Sequence, residues 1–366
     1  MESKAVGAGK RRLLTRPLVK ILLATIICAG LFLSIVDIRK ILDVTQNLEP
    51  LYLVLSLVTT ILSYLFIGLA LRKLLDLVGH PLSFGETFAI SWVSTSFNYL
   101  VSTGGVGGLT VRIVLLRKRN ISFSETFVVS FVQTLLINGV LIGFVVFGFA
   151  YLLTNKGLRV YQYVTSGAIL GLTLFLSLLA VGSVFDRGFR DRFIDFFYRM
   201  INRVSYRLKT KPVVSKESLN EFKEEFHQGI SLMLAQKKRM ALPLIYVFMD
   251  WLFALVTLYF SFLTVGFRIS PGVLVVGFAI GIFVSLVSFI PGAIGIMEGS
   301  MAAIYYGLGV PLEIGIIGVL LYRLVYFVFP FITSTLLYYP LFKEARAVNP
   351  GKIASARSDG VTGGPE

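Results

Sequence analysis

The chain alternates between long apolar runs and short polar, basic stretches. Apolar runs occupy 18–38, 50–71, 122–153, 160–185, 241–265 and 312–339, each with very few charges. About 20 helical residues cross a hydrocarbon core, so each run predicts a transmembrane helix. Two more apolar runs, 86–103 and 272–290, end in glycine-rich breaks. The breaks are Gly104-Gly105-Val106-Gly107-Gly108 and Pro291-Gly292-Ala293-Ile294-Gly295. In a bilayer every backbone N–H and C=O needs a partner, so broken helices survive only where protein or a cavity lines them. Paired breaks in corresponding places are the pattern of a carrier's binding site.

Composition agrees with this class. The chain is 55% hydrophobic and 15% charged, whereas soluble domains carry about a quarter charged residues. The expected fold is all-α, a polytopic integral membrane protein with six full spans. The first run is too long for a signal peptide and no small-x-small cleavage site follows it, so a retained helix is expected. Cys28 is the lone cysteine and lies in that run, which excludes an internal disulfide.

A net charge of +15 could suggest nucleic acid, but on such a chain it reads as topology. Lys4, Lys10, Arg11, Arg12, Arg16 and Lys20 place the N-terminus in the cytoplasm. Six crossings then return 186–240 and the C-terminus to the same side. Of the 35 Lys and Arg, only Arg39, Lys40, Lys156, Arg159 and Arg268 fall outside, and Arg112 and Arg323 fall within membrane segments. The expected location is the plasma membrane, multi-pass, with no nucleic-acid partner.

The same count constrains the breaks. Arg72-Lys73 and Arg117-Lys118-Arg119 should both be cytoplasmic, so 86–117 reads as a re-entrant hairpin opening to the cytoplasm. The segment 272–308 reads as a hairpin opening to the exterior. Residues 1–17 form a basic N-terminus, 18–153 a first membrane repeat, 160–340 a second, and 341–366 a disordered tail. Ser83-Phe84-Gly85 resembles Ser270-Pro271-Gly272, and Gly104-Gly105 then aligns with Pro291-Gly292 without a gap. An inverted repeat with two opposed hairpins is the expected arrangement.

Other glycines have a packing explanation. Gly139…Gly143, Gly167…Gly171 and Gly277…Gly281 are small-xxx-small pairs that let helices approach. The first glycine cluster lacks the strand and βαβ unit of a dinucleotide loop. In the polar segment 186–240, Phe193, Phe196, Phe197, Met200, Ile201, Val204 and Leu208 recur at helical spacing, with Arg192, Arg199, Arg203 and Arg207 on other faces. That pattern fits a helix in the headgroup region or a linker packed on the spans. A second helix is expected after Pro212, with Ser218-x-x-Glu221 as a capping box.

Charges at membrane depth are costly, which makes them the candidates for function. Arg112 sits just beyond the first break, where a cation opposes the helix dipole. With the amides of that helix start it could receive a phosphate or carboxylate; alternatively it snorkels to the headgroups. Glu298 follows the second break and could cap its helix or pair with a cation. Arg323, mid-span, is the natural partner, because a buried Arg without a counter-charge is very expensive. Asp250, Glu313, Asn98, Gln133 and Asn138 are weaker candidates, with Asp250 and Glu313 placed at interfaces. His80 and His227 have no metal-ligand companions, and no cofactor, P-loop, nucleophile elbow or paired-carboxylate motif is present in the sequence.

These residues bring a family into view. Gly104-Gly105-Val106-Gly107-Gly108-x-x-x-Arg112 resembles the first motif of the flippase-like family, also called the lysylphosphatidylglycerol synthase transmembrane region. Pro291-Gly292-Ala293-Ile294-Gly295-Ile296-Met297-Glu298 resembles its second motif, and Tyr322-Arg323 its Tyr-Arg pair in the last span. Thr103 stands where many members have proline, and Leu109 where many have an acid. Gln133 lies near where an arginine is common.

The resemblance implies a lipid-translocating domain, here a stand-alone member without the synthase domain and not an enzyme. Its implied site is Arg112, Glu298, Arg323, Tyr322 and the glycines and proline of the two breaks. Its implied partners are membrane lipids, aminoacylated or polyprenyl-linked, and a separate lipid-modifying enzyme. A secondary transporter of a small anion and a membrane scaffold for such an enzyme stay open as alternatives.

Overall fold

A computed structural model describes residues 48–100, 106–154, 185–207, 215–287 and 291–337, with scattered positions between 167 and 182. The regular structure of these residues is helical throughout. In chain order the helices are α1 (Pro50–Leu77), α2 (Phe84–Leu100), α3 (Val106–Arg117), α4 (Phe123–Thr154) and α5 (Arg187–Arg207). They continue with α6 (Lys216–Ala235), α7 (Ala241–Thr264), α8 (Pro271–Val287), α9 (Ile296–Gly307) and α10 (Leu312–Arg323). A π turn, Leu324–Val328, prolongs α10 into one helix that reaches Leu337.

Among the described residues, four helices are long and apolar enough to cross a membrane: α1, α4, α7 with its preceding turn, and the α10 helix to Leu337. The expected spans 50–71, 122–153, 241–265 and 312–339 fall on them. The expected span 18–38, most positions of 160–185, the basic N-terminus and the tail 341–366 lie outside the described residues.

Local chemistry sets several helix starts. Pro50 opens α1, where its fixed φ and missing N–H cost nothing. Ser83 and Glu86 form a reciprocal capping box on α2: Glu86 N donates to Ser83 Oγ (3.3 Å) and Ser83 N to Glu86 Oε2 (3.2 Å). Ser122 and Glu125 repeat it on α4, with 3.1 and 2.8 Å bonds. For α6 the expectation needs correction. Ser215, not Ser218, caps the helix, accepting from Ser218 N at 3.1 Å. Ser218 is already inside the first turn, where its own N–H needs that acceptor.

The polar residues of α1 explain its closest neighbour. Ser56, Thr59, Thr60 and Ser63 are buried on one stripe. Ser56, Thr59 and Thr60 each hydrogen-bond a preceding carbonyl, and Thr59 Oγ1 meets Thr257 Oγ1 of α7 at 2.8 Å. Small hydroxyl residues let two helices approach in lipid, where burial of apolar surface drives little.

Two pairs of short helices run antiparallel. In α2–α3, Arg119 meets Glu86 at one end (3.0 Å) while Gly108 presses on Ser94 and Asn98 further along. In α8–α9, Tyr305 Oη donates to Leu274 O (3.1 Å), and Gly277 and Gly281 lie under Tyr305 and Met301.

The helix ends gather in two groups. Glu49 N donates to Thr264 O (2.9 Å) and Tyr151 Oη meets Ser270 Oγ (3.4 Å), joining the α1 start, α7 end, α4 end and α8 start. Gln236 Nε2 donates to Leu77 O (3.3 Å) and His80 Nε2 meets Glu125 Oε1 (2.8 Å), joining the opposite ends near α2.

The glycine pairs divide. A Cβ on Gly277 or Gly281 would lie 2.1 Å from Tyr305 or 2.3 Å from Met301, so these two are packing glycines. Gly139, Gly143 and Gly171 have no described atom within 4 Å, so their packing role lies outside the described residues.

Within 186–240, α6 packs on α4 through Phe222 and Phe226 against Phe123, Phe127 and Phe131. It also holds α5 through Lys223–Asp195 (2.7 Å) and His227–Asp191 (2.9 Å). α5 leaves Phe193, Phe196, Phe197 and Met200 exposed.

Candidate functional site

The second break builds a compact polar centre. Pro291–Ala293 is a single 3-10 turn, and α9 starts at Ile296. Gly292 and Gly295 adopt φ 63° and 83°, in the left-handed region where a side chain is disfavoured. Ala293 shares that region at φ 49° and pays the steric cost glycine avoids. The turn aims the Gly292 carbonyl at α10, where Arg323 Nη2 donates to it.

Glu298 completes this centre. Its Oε1 lies 2.6 Å from Arg323 Nη1, and its Oε2 accepts from Gly295 N at 2.7 Å. One carboxylate therefore caps α9 and neutralises the guanidinium. The side chains are 8% and 10% exposed, so water screens the pair little. Met297 Sδ (3.8 Å) and the face of Phe327 (5.0 Å) enclose the rest of the guanidinium. The π turn begins directly after Arg323; such turns recur at functional sites because they re-aim side chains within a helix.

Tyr322 is fully buried and its hydroxyl has no hydrogen-bond partner among the described residues. Its ring stacks on Tyr326 at 5.2 Å and meets Phe278 and Phe327 edge-on. Buried hydroxyls normally find partners, so an orphan here asks for an explanation.

Arg112 occupies a different setting. α3 begins at Val106, so Arg112 stands about 9 Å along the axis from the helix start. Its guanidinium turns to α4 instead of the start amides: Nη1 donates to Gln133 Oε1 (2.6 Å) and to Ser130 Oγ (3.3 Å). Gln133 is buried and passes the link on, its Nε2 donating to Ile67 O of α1 at 3.2 Å. Arg112 Nε is buried with no acceptor, and among the described residues no carboxylate pairs with Arg112.

The remaining candidates spread out. Gly104 and Gly105 lie outside the described residues. Gly107 sits in the first turn of α3. Gly108 is required by packing, since a Cβ there would lie 2.5 Å from Asn98 Cβ and 2.7 Å from Ser94 O. Pro291 opens the 3-10 turn. Among the described residues no hydrogen bond, ion pair or ring contact joins Arg112 to Glu298 or Arg323. The far end of α2 spans the gap: it packs on the Pro291–Ala293 turn, and Tyr99 lies against Tyr326 and Phe327.

The sequence underrated one residue. Asp250 is a weaker candidate by pattern, with an interface position left open, and it is 3% exposed in the middle of α7. Ser63 Oγ donates to its Oδ1 at 2.5 Å, and Tyr326 Oη lies 2.8 Å from Ser63 Oγ. A lone Asp in an apolar run was the available signal.

Comparison with known proteins gives the chain a family. The family model described as the lysylphosphatidylglycerol synthase TM region matches residues 18–334. The UPF0104 membrane protein PH1989 of Pyrococcus horikoshii is 25% identical over 301 residues, covering 80% of this chain and 88% of that protein. A UPF0104 membrane protein of Methanothermobacter thermautotrophicus is 28% identical over 151 residues, covering 40% and 42% of the two chains. With its apolar helices and both glycine breaks inside the matched region, the chain belongs to the family of the lysylphosphatidylglycerol synthase transmembrane region.

Proposed function

We propose that this protein is a lipid translocase that carries an anionic or amphipathic headgroup across the plasma membrane while the tails stay in the bilayer. Arg112 carries the reading. A guanidinium held, among the described residues, only by neutral groups, with a buried N–H left over, is poised to take an anion. Holding it unpaired at membrane depth costs free energy that local structure does not return.

In this reading α2–α3 and α8–α9 are re-entrant hairpins, opposed within an inverted repeat of six spans. Two observations support it: the matching Ser starts of α2 and α8 and the gathering of the hairpins' open ends into different groups. The termini and 186–240 then face the cytoplasm. A phosphate entering from that leaflet meets Arg112, with Gln133 and Ser130 yielding to it. It passes along α2 to the second hairpin, where Glu298 and Arg323 exchange partners around it. Lipid modification by a separate enzyme would supply the substrate.

The test is translocation in proteoliposomes, with fluorescent anionic, zwitterionic and aminoacylated lipids followed by dithionite quenching. Headgroup-selective movement that is lost in Arg112→Ala, with insertion and folding intact, is the expected result. Full activity of that variant would overturn the role of Arg112.

A further inference from the structure

The ion pair of Arg323 accounts for one buried acid of the spans, and Asp250 is another. It is as buried as Glu298 but has no basic partner among the described residues. The titratable groups around its Ser63–Tyr326 partners are neutral phenols: Tyr64 from α1, Tyr99 from α2 and Tyr322 from the last helix all pack on the Tyr326 ring. From α4 and α8, Phe144 and Phe278 surround the neighbouring Trp251. The nearest cation of the last helix, Arg323, is engaged by Glu298 and Gly292.

We propose that Asp250 is a proton-binding site whose occupancy is read by the π turn that follows Arg323. The hydroxyl pair around it can serve both states. With the carboxylate ionised, Tyr326 O–H donates to Ser63 Oγ and Ser63 O–H to Asp250 Oδ1. When a proton arrives, the Asp250 O–H donates to Ser63 and Ser63 turns its proton to Tyr326, whose own O–H turns away on the side of the Tyr99 ring it packs against at 5.9 Å. One proton is gained, no bond of the chain is left unmade, and the direction of the chain reverses. A buried acid paired with a fixed cation could not do this without breaking the pair.

The geometry ties the reversal to the site. Tyr326 lies inside the π turn, and its backbone carbonyl accepts from Tyr64 Oη at 3.2 Å. Arg323 precedes the turn directly, and Tyr322 stacks on Tyr326 with its own hydroxyl unpartnered. A proton on Asp250 therefore changes the donor pattern of the element that holds the Glu298–Arg323 pair. Resting on the translocase reading, this makes a proton gradient the driving force.

Infrared titration of the purified protein in nanodiscs tests the site without any transport assay. The expected result is a protonated-carboxyl C=O band that titrates in the wild type and is missing in Asp250→Asn. Its midpoint should shift in Ser63→Ala and in Tyr326→Phe, which keeps the stacked ring. The proposal is overturned by a wild type without such a band, or by the same band in Asp250→Asn. Should Asp250→Asn not fold, the other two variants decide: a shifted midpoint supports the site and an unmoved one overturns it. A proton-independent translocase with an intact Asp250 band would remove only the coupling, and a titrating band without translocation would remove only the lipid reading.

Discussion

Arg323 holds the second break closed from two sides, meeting Glu298 Oε1 at 2.6 Å and the Gly292 carbonyl with its other terminal nitrogen. The guanidinium thus fixes a turn that two left-handed glycines and one left-handed alanine make possible. Breaking the pair from one side should cost about 3–5 kcal/mol, because it strands a buried charge.

Arg323→Met alone should therefore lower the unfolding midpoint in detergent steeply. Combining it with Glu298→Gln should recover much of the loss, since Gln keeps an oxygen for Gly295 N while removing the stranded charge. Additive losses in the double variant would show that the two side chains act separately.

Gly108→Ala should destabilise by about 1–3 kcal/mol, the usual cost of overpacking. Its Cβ would meet the backbone oxygen of Ser94 and the Asn98 side chain, and α2 and α3 would have to part. Gly139→Ala and Gly143→Ala should leave the thermal midpoint unchanged or raise it slightly, as both have nothing within 4 Å among the described residues. Equal effects at all three positions would contradict this packing.

His227 gives the α5–α6 layer a pH dependence. Burial, then the nearby Arg190 charge, hold its pKa below the ordinary 6.5, and the bond to Asp191 only partly opposes them. As pH falls below about 6.5 the unfolded segment takes up a proton before the folded one does. Docking of α5 on α6 should weaken over that window and be complete above it. Amide hydrogen exchange of α6 between neutral and mildly acidic pH should show the loss in wild type and a flat response in His227→Gln. A flat wild type would contradict the assignment.

The exposed aromatic face of α5 should touch lipid. Phe196 is 58% exposed, with Phe193, Phe197 and Met200 beside it and arginines on the same helix. A polarity-sensitive fluorophore on a cysteine at 196, with Cys28 replaced by Ser, should shift to the blue in anionic vesicles relative to detergent. Emission unchanged between the two would place α5 in water.

Sequence by itself determined the class, the position of four spans and the second break. Those depend on properties carried residue by residue: apolar length sets a span, and Pro291 with the left-handed Gly292 and Gly295 interrupts the helix at the second break. The capping boxes at Ser83 and Ser122 are local in the same sense, because both partners lie within one turn.

Tertiary structure decided which faces meet. A helix surrounded by lipid is apolar on all sides, so its pattern does not reveal the rotation that turns Asp250 toward Ser63 or Arg112 toward Gln133. Packing also separated Gly277 and Gly281, pressed under side chains, from Gly139 and Gly143, which with the same spacing meet none of the described residues. Glu298 and Arg323 were nameable as partners because unpaired charge is so costly in lipid. That the Gly292 carbonyl shares the same guanidinium depended on a left-handed turn only the folded chain displays.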